Sequence, residues 1–175
     1  EEPGRIHIYC GDGKGKTTCG MGLCLRAAGA GKRVLIYQFM KNNHSSERNV
    51  LKQVAGITLM DGPDQVKFTS RMTDDERRAF GVYCQETLAR IRERILLENS
   101  EVVFLDEILY AIDRQMISER MLLDLIWTLP DSIEWILTGR HPGKRLCERA
   151  DYISEIRKEK HPFDRGIQAR RGIEY

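Results

Sequence analysis

Gly11-Asp12-Gly13-Lys14-Gly15-Lys16-Thr17-Thr18 is the stretch on which the reading of this chain turns. The apolar alternation Ile6, Ile8, Cys10 precedes it and a helical pattern follows it, so it forms the turn from a strand into a helix. Glycines let successive backbone N–H groups converge on phosphate oxygens with no Cβ in the way, and the following helix offers its positive end to the same anion. Lys16 is placed to bridge the phosphates and Thr17 to give its hydroxyl to Mg²⁺. The usual pattern carries a glycine where Cys10 stands here, and the first glycine comes one step later. The competing reading is a chance Gly-Lys-Thr in a surface loop. Strand, glycine turn and helix in the right order favour a phosphate-binding loop. Asp12 is an acid inside a loop meant for an anion, and Lys14 beside it is positioned to offset that charge.

Outward from the loop, residues 5–10 read as a strand, 17–28 as a helix ending at Gly29 and Gly31, and 33–40 as a second, almost continuously apolar strand. This is a βαβ unit of a parallel sheet covered on both faces. A polar break at 42–47 leads to a short helix over 48–54 and a third strand over 57–60. Thr73-Asp74-Asp75-Glu76 is a capping box that opens a long helix to about Asn99, with Phe80, Cys84, Leu88, Ile91 and Ile95 as its buried stripe. The arginines at 77, 78, 90, 92 and 94 lie mostly off that stripe and read as a solvated face. Residues 102–105 form a buried strand ending in Asp106-Glu107. Ser118 caps a helix running to Trp127 and stopped by Pro130, 134–138 give a fifth strand, and 152–156 the last. Alternating strands and helices predict a single three-layer α/β domain with a mainly parallel sheet, its ligands at the carboxyl ends of the strands.

Composition agrees with one such unit over 1–175. The formal net charge is only +2, so no strong field argues for nucleic acid or a membrane surface. No apolar run approaches the ~20 residues of a membrane span. The start of the sequence lacks the layout of a signal peptide, which makes the cytoplasm the expected compartment. Five cysteines, at 10, 19, 24, 84 and 147, contain no C-x-x-C pair and read as reduced, mostly buried small hydrophobes. Cys10 and Cys19 flank the phosphate loop, where a reactive thiol is the competing reading.

The apolar run ending in Asp106 matches a second nucleotide motif, whose carboxylate holds Mg²⁺ opposite Thr17. Glu107 is either a general base for attack of water on phosphate or a second metal ligand. Arg26, nine positions beyond Thr17, and Arg140, after a strand end, are candidate extra cations for the phosphate chain, with surface ion pairs as the alternative for each. The tail from Arg157 to Tyr175 is basic. It reads either as a nucleic-acid arm or as a segment that folds over the sheet edge and completes an anionic pocket, and its glycine turns with Ile167, Ala169 and Ile173 favour the second.

Taken together, Gly11 to Thr18, Leu25-Arg26-Ala27-Ala28-Gly29 with Gly31, Gln38-Phe39-Met40-Lys41, Glu47-Arg48, Leu105-Asp106-Glu107, Thr138-Gly139-Arg140 and the closing run from Lys160-His161-Pro162-Phe163-Asp164 through Gly166 to Tyr175 resemble the P-loop type of ATP:corrinoid adenosyltransferases. The likeness spans nearly the whole chain, and the closing segment is its most specific part.

The resemblance implies a P-loop NTPase (RecA-like) fold and transfer of the 5′-deoxyadenosyl group of ATP to Co(I) of a corrinoid, cobalamin or a cobinamide type, in biosynthesis or salvage. Tripolyphosphate leaves and Mg²⁺ or Mn²⁺ assists. It further implies a nucleotide held in the reverse of the ordinary sense, because the struck atom is the ribose C5′, and it implies no catalytic base. Residues 11–18, Arg26 and Arg140 would bind the nucleotide, with Lys16 neutralising the leaving charge and Thr17, Asp106 and Glu107 near the metal. A reduced flavoprotein is the implied electron donor and a homodimer the implied assembly. Family members often carry Phe and Trp before the long helix; this chain has Phe68, between Lys67 and Thr69, and no Trp nearby. Phe68, assisted by Met72, is the candidate for the cobalt face. Longer members have an N-terminal arm, and here only four residues precede the first strand, so 41–49 or 61–72 are the candidate lids unless the arm is truncated. Two rival readings stay open: a P-loop ATPase or kinase using Glu107 as base, and a RecA-like nucleic-acid-binding module using the basic tail.

Overall fold

The computed structural model describes residues 2–175. Six strands, β1 (Ile6–Cys10), β2 (Val34–Gln38), β3 (Ile57–Leu59), β4 (Val102–Asp106), β5 (Glu134–Thr138) and β6 (Tyr152–Glu155), form one sheet in the order β3-β2-β4-β5-β1-β6. Every pairing is parallel. The helices are α1 (Lys16–Gly29), α2 (Glu47–Leu51), α3 (Asp74–Glu98), α4 (Ile108–Asp113), α5 (Glu119–Trp127) and α6 (Lys144–Arg149).

Period-two alternation sends successive strand residues to opposite faces of the sheet. Val34 and Ile36, Val102 and Phe104, and Ile136 pack with Met21 and Cys24 of α1 and Leu51 of α2. Leu35, Tyr37, Val103, Leu105, Trp135 and Leu137 pack with α3, α4 and α5 on the other side. Both faces are therefore covered, which is why β2 and β4 are buried along their whole length. The sheet edge differs: every residue of β6 is exposed.

The predicted strands and helices are present with ends shifted by a few residues. Both bonds of the Thr73 capping box are formed, and Cys84, Leu88, Ile91 and Ile95 are buried while Phe80 packs at the margin. Ser118 caps α5 by accepting from the Met121 N–H. The second strand stops at Gln38 rather than Met40, because Met40 takes a left-handed φ of 59° that turns the chain away from the sheet. Two short helices were not anticipated, α4 and α6; at six residues each they are too short to show a helical period. All five cysteines are free, with three buried, Cys147 half-buried and Cys19 exposed. Burial pushes the Cys10 thiol up, which suits a packing role. No helix among the described residues is long and apolar enough to cross a membrane.

Candidate active site

On the α1-facing row, β2 and β4 are apolar until their last residue, where they turn polar: Val34, Ile36, Gln38 on β2 and Val102, Phe104, Asp106 on β4; on β5 the buried Ile136 is likewise followed by Thr138. Strand register pairs Gln38 with Asp106 and Leu105 with Leu137, so Gln38, Asp106 and Thr138 stand side by side at the carboxyl edge. They share the face on which α1 begins, and this brings Thr17 to Asp106.

Asp106 is completely buried and satisfied on both oxygens. Its Oδ1 accepts from Thr17 Oγ1 at 2.9 Å and Thr138 Oγ1 at 2.7 Å. Its Oδ2 accepts from Lys41 Nζ at 2.8 Å and Gln38 Nε2 at 3.2 Å. Lys41 Nζ also reaches Thr17 Oγ1 at 3.2 Å. Burial alone would pull the Lys41 ammonium down, but Asp106, with help from Glu107 and Glu47, holds it above its ordinary range. Behind this group Gln38 donates to Glu47 at 3.1 Å and accepts from Arg48 at 3.1 Å. Arg48, 2% exposed, pairs outward with Asp61 at 2.6 Å. A continuous polar chain thus runs from the surface at Asp61 to the centre of the cluster, and it fixes which way the Gln38 amide faces.

The phosphate loop lies at the end of β1. Gly11 and Gly15 have φ of 104° and 116°, which L side chains rarely adopt. Gly11 is also crowded, since a Cβ there would sit 2.4 Å from the Ile156 carbonyl oxygen. Lys16 Nζ donates to the Gly13 carbonyl at 2.7 Å, folded back on its own loop. Burial lowers the Lys16 ammonium, with Glu107 opposing. Arg140 lies close enough to act electrostatically on Lys16, Asp12 and Glu107, and its carbonyl accepts from Gly11 N–H at 3.2 Å. Asp12 does not rely on Lys14: its Oδ1 accepts from the backbone N–H of Lys158 at 3.0 Å, so the acid in the loop ties down the tail. Glu107 takes a left-handed φ of 59°, and its N–H donates to Thr138 Oγ1 at 2.7 Å. Burial and then Asp106 raise its carboxyl pKa. Arg26 is not drawn into this cluster. It sits exposed in the last turn of α1, about 13 Å along the axis from Thr17 at ~1.5 Å per residue.

Beside Thr17 and Thr18 opens a cleft of about 750 Å³, bounded by Met21, by Lys41 and Glu47 on the loop after β2, by Phe68 and its neighbours, by Tyr110, and by the closing residues 172–175. Phe68 is 72% exposed on its wall, with the Arg71 guanidinium 5.7 Å from the ring centre. Met72 is half-buried against the core instead. The tail crosses the phosphate loop as a surface strap and reaches the cleft rim, where Ser46 Oγ donates to the Tyr175 carbonyl at 2.9 Å. Its apolar side chains Phe163, Ile167 and Ile173 stay exposed, so it is held by polar contacts rather than packed into a core. The α3 arginines mostly find partners inside the molecule: Arg78 with Asp75, Arg94 with Glu98, Arg90 with Thr87 and Arg77 with the Thr69 carbonyl.

A hydroxyl and a carboxylate are hard oxygen donors that suit Mg²⁺ or Mn²⁺, and a lysine ammonium already occupies the place between them as a cation would. Among the described residues no three His, Cys, Asp or Glu side chains gather into a metal cage. The donor set therefore fits an ion that brings nucleotide phosphates and water as its other ligands.

Roles for Gln38, Lys41, Glu47, Arg48 and Thr138 did not emerge from the sequence on their own. The available signal was the polar residue closing each apolar row, two positions beyond Ile36, Phe104 and Ile136.

Comparison with known proteins gives the family and the fold. Residues 2–175 match the family described as ATP:corrinoid adenosyltransferase BtuR/CobO/CobP. The chain is 33% identical to the corrinoid adenosyltransferase of Escherichia coli (strain K12) over 177 residues, covering 100% of this chain and 87% of that protein. It is 31% identical to corrinoid adenosyltransferase CobA of Salmonella typhimurium, covering 100% of this chain and 87% of that one. Among solved structures, the KaiC-like protein PH0186 of Pyrococcus horikoshii OT3 superposes with a TM-score of 0.56 at 19% identity, over 91% of this chain and 75% of the other, and shares the RecA-like fold.

Proposed function

The chain belongs to the ATP:corrinoid adenosyltransferase family, and from that premise we propose how its cleft performs the transfer. The enzyme moves the 5′-deoxyadenosyl group of ATP to the cobalt of a corrinoid in cobalamin biosynthesis. Cobalt, as Co(I), supplies the electron pair; the Co–C5′ bond forms as the C5′–O bond breaks, and that pair departs on tripolyphosphate. No proton is abstracted, so Glu107 is not needed as a base. The observation that carries this reading is that Thr17 and Lys41, both bonded to the buried Asp106, line the same cleft as the exposed ring of Phe68.

In this reading the triphosphate lies in the loop of residues 11–18 with its ribose end turned toward the cleft, the reverse of the usual sense. Lys16 exchanges its bond to the Gly13 carbonyl for phosphate oxygens, where its charge, the loop amides and Arg140 meet the negative charge that grows on the leaving group. Thr17 and Asp106, with Glu107 behind them, would hold Mg²⁺ or Mn²⁺, which when bound neutralises phosphate charge as a Lewis acid. Arg26 stands too far along α1 to share in this. Phe68 lies against the corrinoid face, excluding water and the lower axial base so that Co(II) is reduced more easily, with a reduced flavoprotein as donor. The protein works in the cytoplasm, as five free cysteines suit a reducing compartment, and as a homodimer.

The test is direct. Protein, ATP, Mg²⁺ and chemically reduced corrinoid should give the light-sensitive alkylcobalt spectrum with one tripolyphosphate per turnover. Lys16→Ala should lower the rate by at least about 10²–10³-fold, as loss of one charge-stabilising donor does elsewhere. Phe68→Ala should lose most when reduction is left to the flavoprotein. ADP and phosphate without an alkylcobalt product would overturn the proposal in favour of an ordinary ATPase.

A further inference from the structure

Asp106 has about four acceptor positions and all are taken: Thr17 and Thr138 on one oxygen, Lys41 and Gln38 on the other. Thr138 and Gln38 are strand residues held by register, and Thr17 begins a helix. Lys41 alone among the four comes from a loop. Its Nζ, touching both Asp106 and Thr17, stands where a cation bridging those two groups would stand, and its side chain remains 30% exposed toward the cleft. The residue before it, Met40, is a non-glycine held at φ 59°, a conformation that tertiary contacts must enforce.

We infer that Lys41 is a resident counter-cation: its ammonium fills the seat between Thr17 and Asp106 while no divalent ion is present, competes with that ion, and on displacement swings from the carboxylate into the cleft toward the polyphosphate. The inference rests on Thr17 and Asp106 being the metal seat. A fully buried carboxylate without a counter-charge destabilises the fold, and Lys41 supplies that charge in the empty enzyme. The same contact weakens the binding of a bare divalent ion before the nucleotide, because the ion must evict a hydrogen-bonded ammonium. Nucleotide phosphates both strengthen the ion's hold and give the evicted ammonium an anion to meet. Lys41 is thus a positioning residue in the empty state and a phosphate ligand in the loaded one.

Mn²⁺ titrated into nucleotide-free protein, with the free ion followed by electron paramagnetic resonance, tests this without turnover. Lys41→Met should bind Mn²⁺ at least about tenfold tighter than the parent, the size of one lost charge-assisted contact, while Lys41→Arg, which keeps the charge, should stay near the parent. In the parent, amine labelling read by mass spectrometry should find Lys41 protected without metal and more reactive once Mn²⁺ saturates the protein, a measurement that needs no variant to fold. Equal Mn²⁺ affinity in folded Lys41→Met and parent, or Lys41 labelling unchanged by Mn²⁺, would overturn the inference. Asp106→Asn separates the two failures. If it loses Mn²⁺–ATP binding while Lys41→Met changes nothing, the metal seat stands and only the role of Lys41 falls; if it keeps Mn²⁺–ATP binding, the seat itself is wrong.

Discussion

Gly15 and Gly22 show how differently one residue type acts at two places seven positions apart. Gly15 sits at φ 116° with nothing within 4 Å of a hypothetical Cβ, so a side chain there meets no neighbour and only the backbone objects. Gly22 lies inside α1, also in open space, with no unusual φ. Gly15→Ala is expected to cost about 1–3 kcal/mol of backbone strain and to weaken nucleotide binding, because relief of the strain tilts loop N–H groups away from the phosphates. Gly22→Ala should instead stabilise by about 0.5–1 kcal/mol, as alanine does in a helix interior. Thermal unfolding of the pair checks both signs, and equal effects would mean that the loop conformation is not enforced. Lys41 and Asp12 teach a related lesson. Each charge is explained by one partner distant in sequence, Asp106 and the Lys158 N–H respectively.

Among the elements, the closing strap is the most exposed to test. Arg170 donates to Glu174 from its backbone N–H at 2.7 Å and from its guanidinium at 3.0 Å, which closes the last turn before the cleft rim. The Arg170 side chain, then its backbone N–H, hold the Glu174 carboxyl well below the ordinary range, at about 2. A depressed acid contributes order that is complete above its ordinary pKa of 4.5 and is lost as pH falls toward about 2. Carbon-detected NMR titration should therefore place Glu174 far below the other glutamates. Glu174→Gln should raise the mobility of residues 170–175 at neutral pH while leaving the melting temperature of the domain unchanged, since the strap adds no side chain to either core cluster. A Glu174 midpoint near 4.5 would show that the turn is not held in solution. Helix α3 illustrates the opposite case, an element whose start was legible because the capping box lies within four consecutive residues and its reciprocal bonds are local.

For the whole molecule, the proposed nucleotide site would link ligand binding to folding through the same cluster. The loop, Asp106 and Lys41 come from three separate strand ends, and a nucleotide that joins them binds only the folded state. Mg²⁺–ATP at a hundred times its dissociation constant should stabilise by about 2.7 kcal/mol, which for a chain of this size corresponds to roughly 5–10 °C in Tm. Differential scanning fluorimetry should show that rise in the parent and its loss in Lys16→Ala. A parent that does not shift at saturating nucleotide would sink the assignment of the loop.

What the sequence determined by itself was whatever is written in adjacent residues: the phosphate loop at 11–18, Asp106 at the end of an apolar run, the helix caps, and the parallel α/β class that alternating periods of 2 and 3.6 imply. Tertiary structure alone decided the rest. Gln38, Asp106 and Thr138 become neighbours through strand order and register, and the partners of Lys41 and Asp12 lie 65 and 146 residues away in the chain. Arg26 shows the converse, since nine positions suggest nearness in sequence while a helix converts them into distance. The physical reason is the same throughout. Caps, turns and glycine loops are set by bonds between residues a few positions apart, whereas a buried carboxylate takes its partners from whichever chain segments packing brings beside it.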